Sequence, residues 1–332
     1  MTPSPAHPAT GPLLEVRALD VVFDTRHGPL KALDQVSMTI APGEILGVVG
    51  ESGAGKSLTG TAIIGLLDPP GRIAGGSIHF DGQRIDNLPA EAMRRLRGAK
   101  IGAIFQDPLT SLHPMISVGD QLAETIRTHL PLSAAAARTR ALDLLREVGI
   151  PAAETRIDHY PHQFSGGMRQ RVVIALALAG EPKLIVADEP TTALDVSIQA
   201  QITTLLKRLC RDHGAAVMLV THDMGVIAET ADRVAVMYAG RVVETGPVDA
   251  VTRQPRHPYT QGLMASIPSM RQREAELRQI EGAMPRLNAM PPGCAFHPRC
   301  PVMEERCRST VPRLEAGHHA AACWKVAPES QP

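Results

Sequence analysis

Aromatic side chains are scarce in this chain, which has one Trp, three Tyr and five Phe among 332 residues. That scarcity argues against a stacking platform for single-stranded nucleic acid. Net charge is missing too. The 34 basic side chains balance 34 acidic ones, so no global field draws the chain to nucleic acid or to an anionic membrane surface. Long apolar runs are absent: the longest, Val172 to Ala179, is far short of the roughly 20 residues that span a bilayer. The opening MTPSPAHPATGP has neither a basic n-region nor an apolar core, and residues 1–12 read as a loose, disordered tail rather than a signal peptide. These absences point to the cytoplasm, where the five cysteines would stay reduced.

What is present looks globular, at 44% hydrophobic and 20% charged, and the length suits one large domain with a smaller companion. LLEVRALDVVF and KALDQVSMTI read as the first strands, EILGVVG as a short buried strand, and GGSIHFDGQRI as a hairpin element. IGAIFQD, KLIVADE and AAVMLVTHD are further strands, and VAVMYAGRVVETG a closing hairpin. Helices are predicted over LTGTAIIGLL, DQLAETIRTHL, AAAARTRALDLLREVG, VVIALALAG and SIQAQITTLLKRL. The last of these puts Ile198, Ile202, Leu205, Leu206 and Leu209 on one face. FSGGMRQR is read as a loop. Strands alternating with helices imply a mainly parallel sheet covered on both faces, an α/β architecture. Near Pro255 the composition shifts, with 11 of the 28 prolines between that residue and the end. This divides the chain into a main domain, 13–254, and an extension, 255–332.

GESGAGKS, Gly50 to Ser57, matches G-x-x-x-x-G-K-[ST] between a predicted strand and a predicted helix. Glycines let backbone N–H groups converge on phosphate oxygens, and the following helix turns its positive end to the same anion. Gly50, Glu51, Ser52, Gly53, Ala54, Gly55, Lys56, Ser57 and Leu58 form the candidate cradle. Lys56 would reach the outer phosphates and Ser57 the Mg²⁺. LIVADE ends in two acids at the carboxyl end of a strand, where open α/β sheets bind ligands. Asp188 is the candidate Mg²⁺ holder through a water, and Glu189 the candidate for polarising the attacking water.

FSGGMRQR, Phe164 to Arg171, resembles the signature of ATP-binding-cassette (ABC) ATPases. Gln106 at a strand end, ALD at Ala193 to Asp195 and His222 in VTHD stand in that family's order around it. The resemblance spans about residues 13–246. It implies a RecA-like P-loop core with an antiparallel β subdomain and an inserted helical subdomain at about 107–165. It further implies that Gln106 contacts Mg²⁺ and leads toward the membrane partner. Ser165, Gly166 and Gly167 would close over the γ-phosphate of a second subunit's ATP. Asp195 would link the two sites, His222 would hold the γ-phosphate, and Phe23 would lie under the adenine. Met168 and Phe164 depart from the family's usual Gln and Leu, but neither removes the serine or the glycines.

Chain layout favours a transporter subunit over a soluble ABC ATPase of translation or chromosome maintenance. There is one cassette, and about 108 residues without sustained heptads separate Lys56 from Ser165. DPLTSLHPMISVGDQL, EPTTALDVSIQAQI and RHPYTQGLMASIP resemble the ATP-binding subunits of oligopeptide and dipeptide importers. This implies ATP hydrolysis at the cytoplasmic membrane face and a second, similar ATPase, giving a heterodimer. Two permease subunits and an external peptide-binding protein complete the assembly, with no nucleic-acid partner. Nickel and other small-solute importers share much of this sequence, so they stand as alternatives for the cargo.

Four of the five cysteines, Cys294, Cys300, Cys307 and Cys323, crowd the extension in the pattern C-x5-C-x6-C-x15-C. The C-x₂₋₄-C knuckle of structural zinc sites is missing. Four thiolates fit an iron–sulfur cluster, and Pro301 after Cys300 echoes ferredoxins. The resemblance to longer peptide-importer subunits implies a [4Fe-4S] cluster, while His297, His318 and His319 leave Zn²⁺ open. So short a Pro-rich segment is expected to need a metal staple. Cys210, late on an amphipathic helix, is expected to be a buried, inert thiol.

Overall fold

The computed structural model describes residues 11–192, 194–266, 279–315 and 317–326. Most of the expected tail, residues 1–10, and Ala193 of the ALD stretch lie outside them. Two sheets organise the chain. Strands β1 (Leu14–Thr25) and β2 (Gly28–Ile40) pair antiparallel around the polar turn expected between them. After β3 (Ile45–Val49), strands β4 (Gly71–Phe80) and β5 (Gln83–Arg84) complete a four-stranded antiparallel sheet in the order β2-β1-β4-β5.

The second sheet is built on β3 with β6 (Ile101–Ile104), β7 (Leu184–Asp188), β8 (Ala216–Thr221), β9 (Arg233–Tyr238), β10 (Arg241–Pro247) and β11 (Ala320–Ala321). Its order is β11-β10-β9-β3-β8-β7-β6, parallel from β9 to β6 and antiparallel at β10 and β11. The central strands are buried on both faces, which explains their unbroken apolar runs. In β3, Ile45 and Val49 join one core while Leu46 and Val48 join the other. Ile185 and Ala187 of β7 alternate with Leu184 and Val186 in the same way.

Helices α1 (Lys56–Ile63) and α2 (Ala90–Leu96) precede a run made of α3 (Pro108–Ser111), α4 (Val118–His129), α5 (Ala134–Glu147) and α6 (Ala153–Arg156). Helices α7 (Gly166–Leu178), α8 (Val196–His213), α9 (Met224–Thr230), α10 (Val248–Arg253) and α11 (Pro258–Ala265) follow. The loop expected at FSGGMRQR is a helix start instead. Ser165 caps α7 by accepting the Met168 N–H at 3.4 Å, and the good helix formers after the two glycines carry it onward. Phe164 is buried at 3% exposure, so the larger ring in the family's leucine slot serves the core. On α8, Ile202, Leu205, Leu206 and Leu209 are buried on the predicted face, with Ile198 partly buried beside them. Among the described residues no helix is long and apolar enough to cross a membrane.

Past Pro255 the chain packs back on the large sheet. β11 pairs with β10, a connection that its two residues gave no sign of in the sequence. Tyr238, Tyr259 and Phe296 meet with ring centroids 4.7–5.5 Å apart, so three of the few aromatics sit in one cluster. The fully buried Glu244 carboxylate accepts the Arg256 and His257 N–H groups, each at 2.8 Å, and lies 2.7 Å from His319 Nε2. These aromatic and polar contacts tie the segment to the sheet. The metal staple expected from the sequence is not shown: among the described residues, no group of three or more His, Cys, Asp or Glu side chains could hold a metal ion.

Candidate functional site

The phosphate loop leaves the end of β3 and turns into α1. Gly50 has φ +157°, and a Cβ there would collide with the Met237 carbonyl oxygen. Gly55 has φ +101°, with Leu33 Cδ2 2.6 Å from where a Cβ would stand. Both positions therefore require glycine. Gly50, Glu51, Ser52, Gly53, Gly55, Lys56, Ser57 and Leu58 line a cavity of about 810 Å³. Ala54 is the exception in the predicted cradle. Its side chain is fully buried in the core beneath, and its N–H donates to Glu51 O within the loop.

Lys56 Nζ donates to the carbonyls of Gly50 at 2.8 Å and Glu51 at 3.1 Å. Burial lowers its pKa, opposed by the charges of Glu189, Asp188 and Glu51. Ser57 Oγ donates to Asp188 Oδ1 at 2.8 Å, so the two predicted magnesium holders already touch. Burial pushes the Asp188 carboxyl above its ordinary value. A hard cation bound there would favour the ionised form, and this oxygen pair suits it.

Glu189 lies one residue further on with φ +46°, a left-handed conformation that is uncommon outside glycine and costs strain. Its Oε2 accepts from Thr192 Oγ1 at 2.7 Å and from Gln106 Nε2 at 3.2 Å, and its Oε1 is 3.3 Å from His222 Nδ1. Burial alone would raise its pKa. The hydrogen bonds of Thr192 and His222, helped by the His222 and Lys56 charges, hold it below the usual carboxylate range. The group is therefore ionised near neutrality and can accept a proton.

Phe23, Gln106, Glu189 and His222 line the same cavity as the phosphate loop. The signature does not. Ser165 and Gly166 are exposed at the start of α7. A Cβ at Gly167 would meet Ile198 of α8 at 2.8 Å. Asp195 stands at the N-cap of α8 and forms no side-chain cap bond. Sequence reading missed Thr192, whose bond to Glu189 spans a turn without a motif. It also missed Leu263 and Leu287, which line the cavity from the extension.

The four clustered thiols are free and half-buried. Burial pushes Cys294 up to about 11 and raises Cys300 and Cys323 as well. Cys294 N–H donates to Cys307 O at 2.8 Å. The segment thus gathers its thiols without closing a ligand set among the described residues. Cys210 is 1% exposed and burial pushes it up to about 12, the inert thiol expected.

Residues 33–192 match the family model described as ABC transporter, and residues 243–307 match that of the oligopeptide/dipeptide transporter C-terminal region. The dipeptide transport ATP-binding protein DppD of Haemophilus influenzae is 48% identical over 307 residues, covering 92% of each chain. The chain belongs to the ABC transporter family. DppD of Escherichia coli K12 is 47% identical over 91% of this ABC chain and 92% of its own. A putative peptide import ATP-binding protein of Brucella melitensis is 48% identical over 94% and 96%. Among solved structures, a dimeric ATP-binding cassette in a post-hydrolysis state, bound to ADP and Pi, superposes with TM-score 0.64 at 30% identity. It covers 71% of this chain and 98% of its own. As an ABC cassette the chain is an ATPase, and its substrate is ATP with Mg²⁺.

Proposed function

We infer that this ABC subunit hydrolyses ATP to power the import of di- or oligopeptides through a membrane permease. The observation that carries the chemistry is the position of the Glu189 carboxylate, held by Thr192, Gln106 and His222 in the cavity that also holds Lys56. The peptide cargo is supported by the match of residues 243–307 and by the names of the relatives.

In this reading, ATP phosphates take over the Lys56 ammonium from the loop carbonyls it now contacts, and the backbone of Gly50 to Leu58 surrounds them. Phe23 lies beside the adenine. Ser57, Asp188 and Gln106 would hold the Mg²⁺, which neutralises phosphate charge when bound. Glu189 takes the proton of the attacking water, and His222 contacts the γ-phosphate. Ser165 and Gly166, exposed, and the half-buried Gly167 lie outside their own subunit's cavity and act on the ATP of a second ABC subunit, with Asp195 at the junction. That partner is a similar but distinct ATPase. Two permease subunits and an external peptide-binding protein complete the assembly, and this chain sits peripherally on the cytoplasmic membrane face. In proteoliposomes carrying that assembly, ATP is expected to drive accumulation of a labelled dipeptide. Accumulation of nickel with no dipeptide uptake would refute the peptide cargo.

The extension is read as carrying a [4Fe-4S] cluster on Cys294, Cys300, Cys307 and Cys323. Its support is that all four cysteines are free, half-buried thiols gathered in one short segment. Zn²⁺ is the alternative, with His297, His318 and His319 as candidate ligands. Protein purified without oxygen is expected to be brown, with about four iron and four sulfide per chain. Colourless protein with one tightly bound zinc would overturn this part of the reading.

A further inference from the structure

The phosphate loop is gripped from outside the ATPase core. Arg299, the residue before Cys300, reaches back 248 positions to Glu51. Its Nη1 donates to Glu51 Oε2 at 2.9 Å and its Nη2 to Glu51 Oε1 at 3.1 Å, a two-pronged pair. The Arg299 side chain is only 7% exposed, against 28% for Glu51. Its Nε donates to Glu281 O at 2.8 Å and its Nη2 also to Ile280 O at 3.1 Å. The guanidinium lies 5.9 Å from the Tyr238 ring centroid and 6.0 Å from that of Phe296. The buried Tyr259 hydroxyl accepts the Glu51 N–H at 2.8 Å. The side chain and the backbone of one loop residue are therefore both fixed by residues of the extension.

The position of Glu51 gives this grip a consequence. Glu51 is the second residue of the phosphate loop and lines the cavity with Lys56. An unpaired carboxylate there would oppose an incoming polyphosphate, in a site where partial burial weakens screening by water. A planar guanidinium held in a fixed orientation offsets that charge and holds the carboxylate in one position.

We propose that Arg299 is a positioning residue for the ATP site: it neutralises and orients Glu51, so that nucleotide affinity depends on how the thiol-bearing segment is docked. The proposal rests on the reading of this cavity as the ATP site. It differs from that reading in predicting suppression of one substitution by another.

The test is equilibrium binding of Mg·ATP to the full-length chain by calorimetry. Arg299→Ala is expected to weaken binding about tenfold, because it leaves a partly buried carboxylate unpaired beside the phosphates. Adding Glu51→Gln to that variant is expected to restore affinity to within about threefold of wild type, since the unpaired charge is gone. Arg299→Lys keeps the charge without the fork and is expected to fall between wild type and Arg299→Ala. Two results would overturn the proposal. One is an Arg299→Ala affinity within about twofold of wild type. The other is a loss that Glu51→Gln does not relieve, as expected if Arg299 served only to hold residues 280 and 281. Should Arg299→Ala fail to fold, Arg299→Lys carries the test: weakened binding relieved by Glu51→Gln supports it, and unchanged binding overturns it. A wild-type chain that bound no Mg·ATP would instead sink the reading of the site itself.

Discussion

Glu189→Gln is expected to bind ATP within about threefold of wild type and, in the assembled complex, to lose about 10²–10⁴ of its turnover. The substitution keeps the volume of the side chain and an acceptor for Thr192, so the cavity wall should stand. It removes the charge that His222 and Lys56 favour and with it the capacity to take a proton near neutral pH. Binding depends mainly on other atoms, the backbone of the phosphate loop and Lys56, whose ammonium donates to Gly50 O and Glu51 O. The measurement is steady-state ATPase activity beside equilibrium nucleotide binding. An unchanged kcat would remove Glu189 from the role of base. Loss of binding together with turnover would make it a structural residue of the cavity.

Such a prediction could be framed from sequence because the chemistry of phosphate binding is local. Gly50 to Ser57 are consecutive, and the constraints on Gly50 and Gly55 come from the turn they must make. Glu189 follows a strand whose end is a recognisable place for ligands. The reading missed structure wherever contacts join distant positions. Thr192 supports Glu189 without any motif, and Arg299 meets Glu51 across most of the chain. Tyr238, Tyr259 and Phe296 form a cluster that no period in the sequence announces. The signature is visible as a stretch, but the sequence predicts a loop where the structure starts a helix at Gly166. Two glycines argue against a helix locally, and the cap bond from Met168 N–H to Ser165 outweighs them. The thiols show the limit differently. They are free and half-buried in one segment, but spacing does not determine whether a ligand set closes.

The extension also changes how the ATPase core is understood. Composition alone suggests a separate Pro-rich appendage after Pro255. The fold instead threads β11 onto the main sheet, buries Glu244 beneath residues 256 and 257, and sends Leu263 and Leu287 to the nucleotide cavity. A change in the order of this segment therefore has a short mechanical route to the phosphate loop through Tyr259 and Arg299.

The central claim is that ATP bound at Lys56 supplies the energy for solute movement through a partner permease. Lys56→Ala tests it most directly. Lys56 is 5% exposed and lines the cavity, and alanine leaves the outer phosphate charge without its main counter-charge. In proteoliposomes carrying the complete importer, ATP hydrolysis and labelled-dipeptide uptake measured together are expected to fall to background. Uptake and turnover at the wild-type level in that variant would contradict the account.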